Sequence, residues 1–134
     1  HPMTSIASDG PLTLFGVGSP HPRTYGTFAR VLGSYVRERN ILSLEEAVRK
    51  MTSLPAQILS IQERGLIKEG YYADIAIFDA LTIIDKATFE DPHQYAQGIN
   101  SVIVNGTIVV ENGAHNGKRP GKVLRGPGYK LNES

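Results

Sequence analysis

The spacing of hydrophobic residues changes partway along the chain. Between Thr27 and Arg39, apolar side chains recur every three or four residues, which is typical of an amphipathic helix. From residue 74 onward, short apolar runs rich in β-branched residues alternate with turn signals, which is typical of strands. The pattern therefore predicts helices in the first half of the chain and a sheet in the second.

A capping pattern marks the start of a second helix. Ser43 is followed three residues later by Glu46, which is the capping-box arrangement, and the apolar positions that follow continue to about Met51. Ahead of the helices, residues 4–8 form a short run with β-branched members that predicts one buried strand. A strand followed by helices indicates an α/β arrangement.

The second half contains a strand and a hairpin. Residues 74–79 form an apolar run bounded by two acids, and we expect Ile75, Ile77 and Phe78 within it to be buried. Residues 101–110 consist of two apolar runs on either side of Asn105-Gly106, a dipeptide typical of a two-residue hairpin turn. The second half is therefore predicted to contain β-structure only.

Length and charge narrow the classes of function. A chain of 134 residues is long enough for one core but too short for a complete eight-unit barrel, which needs roughly 200 residues. With 14 basic and 13 acidic residues, the net charge of +1 gives no reason to expect nucleic acid or a membrane surface as partner. The absence of Cys excludes disulfides and thiolate ligands, and we predict a cytoplasmic location.

The start of the chain suggests that it belongs to something larger. His1 stands where a native start would have Met, and no basic segment leading into an apolar stretch follows it, so no signal peptide is expected. We therefore expect a segment of a longer protein, although processing or cloning would also give a chain that begins without Met.

Asp9 is the main candidate for chemistry. It follows the predicted strand and opens a loop rich in Gly and Pro, and barrel enzymes hold their catalytic residues at the ends of strands. A bound Zn²⁺ lowers the pKa of its water to about 7, and a nearby carboxylate can accept the proton of that water and pass it to a leaving nitrogen. The alternative is that Asp9 only shapes a turn, because Asp before Gly is a common turn pair.

Several short motifs resemble one branch of the metal-dependent amidohydrolases, the D-aminoacylases or N-acyl-D-amino-acid deacylases. The likeness runs from about Thr4 to Arg125. The motifs are Ser8-Asp9-Gly10, His21-Pro22-Arg23, Gly26-Thr27-Phe28, Met51-Thr52-Ser53-Leu54-Pro55-Ala56, the Gly65 to Asp74 segment, and Arg119-Pro120-Gly121-Lys122-Val123-Leu124-Arg125.

The resemblance implies a fold of two parts. Residues 1–62 would be the C-terminal part of a catalytic TIM barrel, with its last strand and helices. Residues 63–134 would be the C-terminal part of a small β-sandwich domain. The fold class is then α/β plus β, as a C-terminal fragment of a metal-dependent amidohydrolase.

The resemblance also implies a function for the longer protein. It would be a zinc-dependent hydrolase that cleaves N-acyl-D-amino acids to a carboxylate and a D-amino acid, with Asp9 as catalytic acid/base and metal ligand. Arg23 would bind the substrate carboxylate, because its planar fork suits that group; the alternative is a surface Arg or a partner for an acid. His21 would be a second polar contact to substrate, or would make a hydrogen bond that orders the loop.

Two other functions stay open. One is a cyclic-amide hydrolase similar to dihydroorotase or hydantoinase, and the other is a non-catalytic β-rich interaction module. The superfamily's histidine ligands belong to earlier strands, so this chain alone is expected neither to bind zinc nor to hydrolyse substrate. Its partners would be the small-molecule substrate and the remainder of the parent enzyme, and its open apolar faces predict self-association of the fragment.

Overall fold

The structure, a computed structural model, describes residues 1–129. Residues 130–134 of the predicted second part lie outside the described residues. The helices are α1 (Arg23–Arg30), a π-helical segment (Val31–Glu38) that continues it, α2 (Leu44–Met51) and α3 (Ser53–Ile58). The strands are β1 (Ile75–Phe78), β2 (Ile99–Val104), β3 (Thr107–Glu111) and β4 (Ala114–His115).

The first helix begins four residues earlier than the hydrophobic spacing predicts. Pro22 precedes Arg23 with φ −50°, so its ring already holds the backbone in a helical conformation. The first turn gives no apolar periodicity because its buried member is Gly26, which has no side chain to mark the inward face. The predicted end at Arg39 agrees with the observed end at Glu38.

The predicted capping box of α2 is confirmed in part. Ser43 adopts an extended backbone, and its Oγ accepts a hydrogen bond from the Glu46 backbone N–H at 3.2 Å. The Glu46 side chain instead makes a bidentate ion pair with Arg49, with distances of 2.7 and 2.9 Å. The helix ends at Met51, where the sequence predicts it.

The four strands form one antiparallel sheet in the order β1-β2-β3-β4. The predicted hairpin is confirmed as β2 and β3, and Asn105 and Gly106 have φ values of 47° and 77°. Positive φ at both turn residues matches the right-handed twist of the flanking strands. The sheet is confined to the second half of the chain, as predicted.

The predicted buried strand at residues 4–8 is wrong for this chain. These residues form no ladder with any strand in the part of the chain that the structure describes, and only Ile6 and Ser8 are partly buried. The Ile6 backbone N–H donates to the carbonyl of Lys50 at the end of α2. A strand needs a hydrogen-bonded neighbour, and here the run lies against a helix end instead.

The expected burial of Ile77 is also wrong. Ile77 is 46% exposed and, within residues 1–129, is not among the hydrophobic residues that pack against the core cluster. Phe78, the next residue, points to the other face and packs against the core.

The core joins the helical and β parts of the chain. Its buried members include Ala29, Val31, Leu32 and Ala47 from the helices and Ile83 from the segment after β1. Gly33 lies so close to this segment that an added Cβ would be 2.5 Å from the Ile83 carbonyl oxygen. Close packing therefore fixes residues 79–87 against α1 and its π-helical continuation. Among residues 1–129, none of the helices is long and apolar enough to cross a membrane.

Candidate active site

Asp9 adopts a left-handed backbone conformation that its local sequence explains. Its φ is 49°, a left-handed conformation that Asp tolerates better than most residues. Gly10 follows because the chain runs against α1 there: a Cβ on Gly10 would lie 2.8 Å from the Thr24 Cα. The Asp-Gly pair thus directs the Asp9 side chain outward, where it is 83% exposed.

Arg23 meets Asp9 across the base of the loop. Arg23 Nη2 lies 3.0 Å from Asp9 Oδ2, although the two residues are separated by the whole of residues 10–22. The Arg23 side chain is 43% exposed, so part of its guanidinium remains open to solvent. Of the interpretations for Arg23, the partner for a nearby acid is confirmed, and binding of substrate stays a prediction.

His21 orders the start of the helix. Its Nδ1 accepts a hydrogen bond from the Arg23 backbone N–H at 3.1 Å, and its ring meets the Phe89 ring edge-on at 4.8 Å between centroids. The loop-ordering hydrogen bond is therefore confirmed, and contact with substrate stays a prediction. Because His21 bonds to the backbone of Arg23, it helps fix the direction from which Arg23 approaches Asp9.

A cleft of about 630 Å³ opens beside these residues. His21 and Arg23 line the cleft together with residues 87–90, and the His21 ring contacts the Phe89 ring at this edge. Asp9 does not line the cleft itself, but it is paired with Arg23, which does. The structure thus brings the three predicted site residues to one side of the molecule, with the two basic ones facing the cleft.

Arg30 and Asp85 form a second ion pair in the same cleft. Arg30 Nη1 donates to Asp85 Oδ2 at 2.7 Å, and this hydrogen bond raises the pKa of Arg30. The Asp85 side chain is only 9% exposed, so its charge is compensated by Arg30 rather than by water. Both cleft arginines are thus paired with an acid while partly open to solvent, Arg30 at 58% and Arg23 at 43% exposed, and Arg23 is the one whose partner is Asp9.

The described residues provide few ligands for a metal ion. Within residues 1–129 there is no group of three or more His, Cys, Asp or Glu side chains that could bind an ion. Asp9 can offer one carboxylate, whereas a catalytic zinc site needs about three protein ligands. This set does not fit zinc on its own.

Sequence reasoning missed Asp85 and His93. Asp85 pairs with a residue 55 positions away, and the His93 ring contacts residues 68 to 77 positions away. Local spacing carries no signal for such contacts, because they depend on how the helical and β parts pack.

Comparison with known proteins gives the family. Residues 2–110 match the amidohydrolase family. An N-acyl-D-aspartate deacylase of Alcaligenes xylosoxydans xylosoxydans is 47% identical over 124 residues, which are 92% of this chain and 24% of that protein. A crystal structure of D-aminoacylase superposes with a TM-score of 0.80 at 49% identity, covering 86% of this chain and 24% of the other.

A third relative was solved with bound ligands. N-acyl-D-glutamate deacylase from Bordetella bronchiseptica, complexed with zinc and a phosphonate mimic of the tetrahedral intermediate, superposes with a TM-score of 0.82 at 44% identity, covering 93% of this chain and 26% of the other. A dihydroorotase of Lactobacillus acidophilus is more distant, at 26% identity over 99 residues, or 64% of this chain and 23% of that protein.

These relatives are about four times as long as the part that matches, so the chain spans about a quarter of their length. The family match covers most of the chain, and it agrees with both the sequence motifs around Asp9 and the superposed fold. The chain belongs to the amidohydrolase family.

Proposed function

We propose that this chain is the C-terminal part of a zinc-dependent enzyme that hydrolyses N-acyl-D-amino acids to a carboxylate and a D-amino acid. The observation that carries the proposal is the pairing of Asp9 with Arg23 beside a cleft. Asp9 can transfer a proton and Arg23 can bind a carboxylate, and hydrolysis of an N-acyl amino acid requires both functions. The names of the similar deacylases support the same substrate class.

In this mechanism Asp9 is the acid/base. Its exposed carboxylate accepts a proton from the attacking water and donates it to the amide nitrogen as the C–N bond breaks. The left-handed backbone at Asp9, the close packing of Gly10 and the contact with Arg23 orient the carboxylate, so that little reorientation is needed during the reaction.

Arg23 orients the substrate. A guanidinium has five N–H donors, and the contact with Asp9 at 3.0 Å engages one of its nitrogens. The remaining donors can form a bidentate pair with the free carboxylate of an N-acyl amino acid. Because the same side chain contacts Asp9, the substrate is held next to the group that moves the proton.

Zinc, when bound, would supply a water of lowered pKa. Since Asp9 offers one carboxylate, we propose that the other ligands come from the remainder of the parent enzyme. The 134-residue chain alone is then expected to be inactive.

For the fold, we propose that residues 1–62 complete a catalytic TIM barrel and that residues 63–134 belong to a small β-sandwich. The confinement of the helices to the first part and of the sheet to the second supports this division.

Large apolar side chains are exposed on both parts, with Leu12, Ile67 and Leu81 between 82% and 106% exposed. We therefore propose that the isolated chain self-associates, which sedimentation at tens of micromolar would measure; a monomer would contradict it.

The experiment that tests the proposed function is a substrate comparison with the full-length enzyme. We expect hydrolysis of N-acetyl-D-amino acids, little hydrolysis of the L-enantiomers, and loss of activity on chelation with recovery on adding zinc.

The same assay with dihydroorotate and a hydantoin tests the cyclic-amide alternative, which the lower identity to dihydroorotase disfavours. Turnover of only the cyclic amides would replace the proposal, and no turnover of any substrate would favour the non-catalytic module.

A further inference from the structure

The loop between Asp9 and the first helix has few contacts of its own. Within residues 10–22, one backbone hydrogen bond, from the Val17 N–H to the Leu14 carbonyl at 3.1 Å, closes a turn. Gly16 and Gly18 flank Val17 with φ values of 79° and 70°. Glycine in this conformation loses much backbone freedom on folding, so the loop needs a restraint from elsewhere to keep one shape.

His93 supplies that restraint from the second half of the chain. Its Nδ1 accepts a hydrogen bond from the Gly16 N–H at 3.1 Å, and its Nε2 lies 2.9 Å from the Gly18 carbonyl oxygen. In the part of the chain that the structure describes, both hydrogen bonds that reach this loop from beyond residue 30 come from the same ring. His93 therefore bridges the two glycines of the turn.

These partners determine which nitrogen carries the proton. A backbone N–H can only donate, so Nδ1 must be unprotonated to accept from Gly16. A carbonyl can only accept, so Nε2 must carry hydrogen and donate to Gly18. The Tyr25 hydroxyl also lies 3.0 Å from Nδ1, so the single lone pair of this nitrogen is shared between the Gly16 N–H and the Tyr25 O–H. The His93 ring therefore contacts both the loop and α1.

Aromatic packing surrounds this bridge. The Phe15 ring stacks on Tyr95 at 4.8 Å between centroids and meets His93 edge-on at 5.6 Å. Tyr25 meets His93 and Tyr95 edge-on, at 5.7 Å in each case. The loop carries Phe15, α1 carries Tyr25, and the segment between β1 and β2 carries His93 and Tyr95. The loop, α1 and the segment between β1 and β2 therefore meet at the His93 ring.

We propose that His93 is a positioning residue for the deacylase reaction, which holds the loop of residues 10–22 so that Asp9 and Arg23 stay aligned at its two ends. The ion pair closes the base of the loop and His93 holds its turn. This inference rests on the proposed function, because its effect on activity passes through Asp9 and Arg23. The contact with the loop itself is independent of which substrate the enzyme uses.

The test uses variants of the full-length enzyme. His93→Ala removes both loop hydrogen bonds, His93→Asn keeps an acceptor near the position of Nδ1, and His93→Gln keeps a donor near the position of Nε2. His115→Ala is the matched control, because among residues 1–129 the hydrogen bond of this exposed imidazole is with the nearby Gly117 N–H. Hydrogen exchange of peptides covering residues 10–22 measures the loop, and kcat/KM measures its consequence for catalysis.

We expect His93→Ala to speed exchange in residues 10–22 while exchange in β2 and β3 stays as in the wild type. Its kcat/KM for an N-acetyl-D-amino acid should fall roughly 10- to 100-fold, because small misplacements of reacting groups have effects of this size. The fall should be smaller for an N-acyl amine without the carboxylate, since displacement of Arg23 affects only substrates that have one. His93→Asn and His93→Gln should each recover part of the loss, and His115→Ala should behave as wild type.

Unchanged exchange in residues 10–22 of His93→Ala would overturn the proposal, as would equal losses on the two substrates. If His93→Ala does not fold, His93→Asn and His93→Gln are compared with the wild type instead, because each loses one of the two loop contacts, and unchanged exchange in both would overturn the proposal. If the wild-type enzyme cleaves neither substrate, the proposed function fails, and unchanged exchange would separately refute the loop contact.

Discussion

Replacing Arg23 by Met removes the guanidinium while keeping a side chain of similar length. The structure predicts a small effect on stability, because the ion pair with Asp9 joins side chains that are 43% and 83% exposed. Exposed pairs of this kind contribute about 0 to 1 kcal/mol, so the free energy of unfolding should change by no more than that.

The expected effect on catalysis is larger. A hydrogen bond to a charged group contributes about 1.5–3 kcal/mol, which corresponds to a fall in kcat/KM of roughly 10- to 150-fold for a substrate with a free carboxylate. Most of this fall should be an increase in KM, because Arg23 binds a part of the substrate that does not react. For an N-acyl amine that lacks the carboxylate, kcat/KM should stay within a few fold of wild type.

The assay compares both substrates in the full-length enzyme, with zinc content and thermal unfolding measured for each variant. Arg23→Lys should recover part of the affinity, since it keeps the charge but not the planar fork. Arg39→Met, at an exposed arginine after the π-helical segment, is the matched control and should leave both substrates unaffected. Equal losses on the two substrates would refute the reasoning and leave Arg23 with a structural role only.

Three further predictions concern the fold. Ile83→Ala, at a side chain that is 1% exposed, should lower the free energy of unfolding by about 2–5 kcal/mol in urea denaturation, whereas Ile67→Ala, at one that is 88% exposed, should change it by less than about 0.5 kcal/mol. Equal effects would contradict the core described above. Ser43→Ala should cost about 1 kcal/mol in the same assay, because it removes the cap of α2; no loss would mean that water replaces the cap fully. Hydrogen bonds from Arg49 lower the pKa of Glu46 from 4.5 to about 2. The ionised Glu46 carboxylate should therefore stabilise the fold above pH 4.5, and this contribution should disappear as the pH falls toward 2. Glu46→Gln should flatten that part of the plot of unfolding free energy against pH.

Local features of the fold could be predicted from the sequence. The helix that begins after Ser43 and the hairpin at Asn105-Gly106 each depend on side chains and turns within a few residues, and both are observed where the pattern places them. The strand at residues 4–8 could not be predicted correctly, because strand formation depends on a neighbour that the local pattern does not describe. The exposure of Ile77 has the same origin: which face of a sheet is covered depends on packing.

In the candidate site, too, some features could be predicted from the sequence and others depend on packing. Asp9, His21 and Arg23 stand in short motifs, so their presence near one another could be expected from the family resemblance. The direct contact between Asp9 and Arg23 required the structure, because it depends on the path of the intervening loop. The contacts of Asp85 and His93 could not be predicted from the sequence. Asp85 contacts Arg30 of α1 and His93 contacts Gly16 of the loop, and both acceptors come from the second half of the chain.

The role of Asp9 is tested most directly by the activity of Asp9→Asn in the full-length enzyme. The amide keeps the size of the side chain but cannot accept a proton, so we expect kcat for N-acetyl-D-amino acids to fall by roughly 100-fold or more while thermal unfolding stays unchanged. Asp91→Asn, at another exposed aspartate, should retain wild-type activity. Wild-type turnover by a folded Asp9→Asn enzyme would contradict the account.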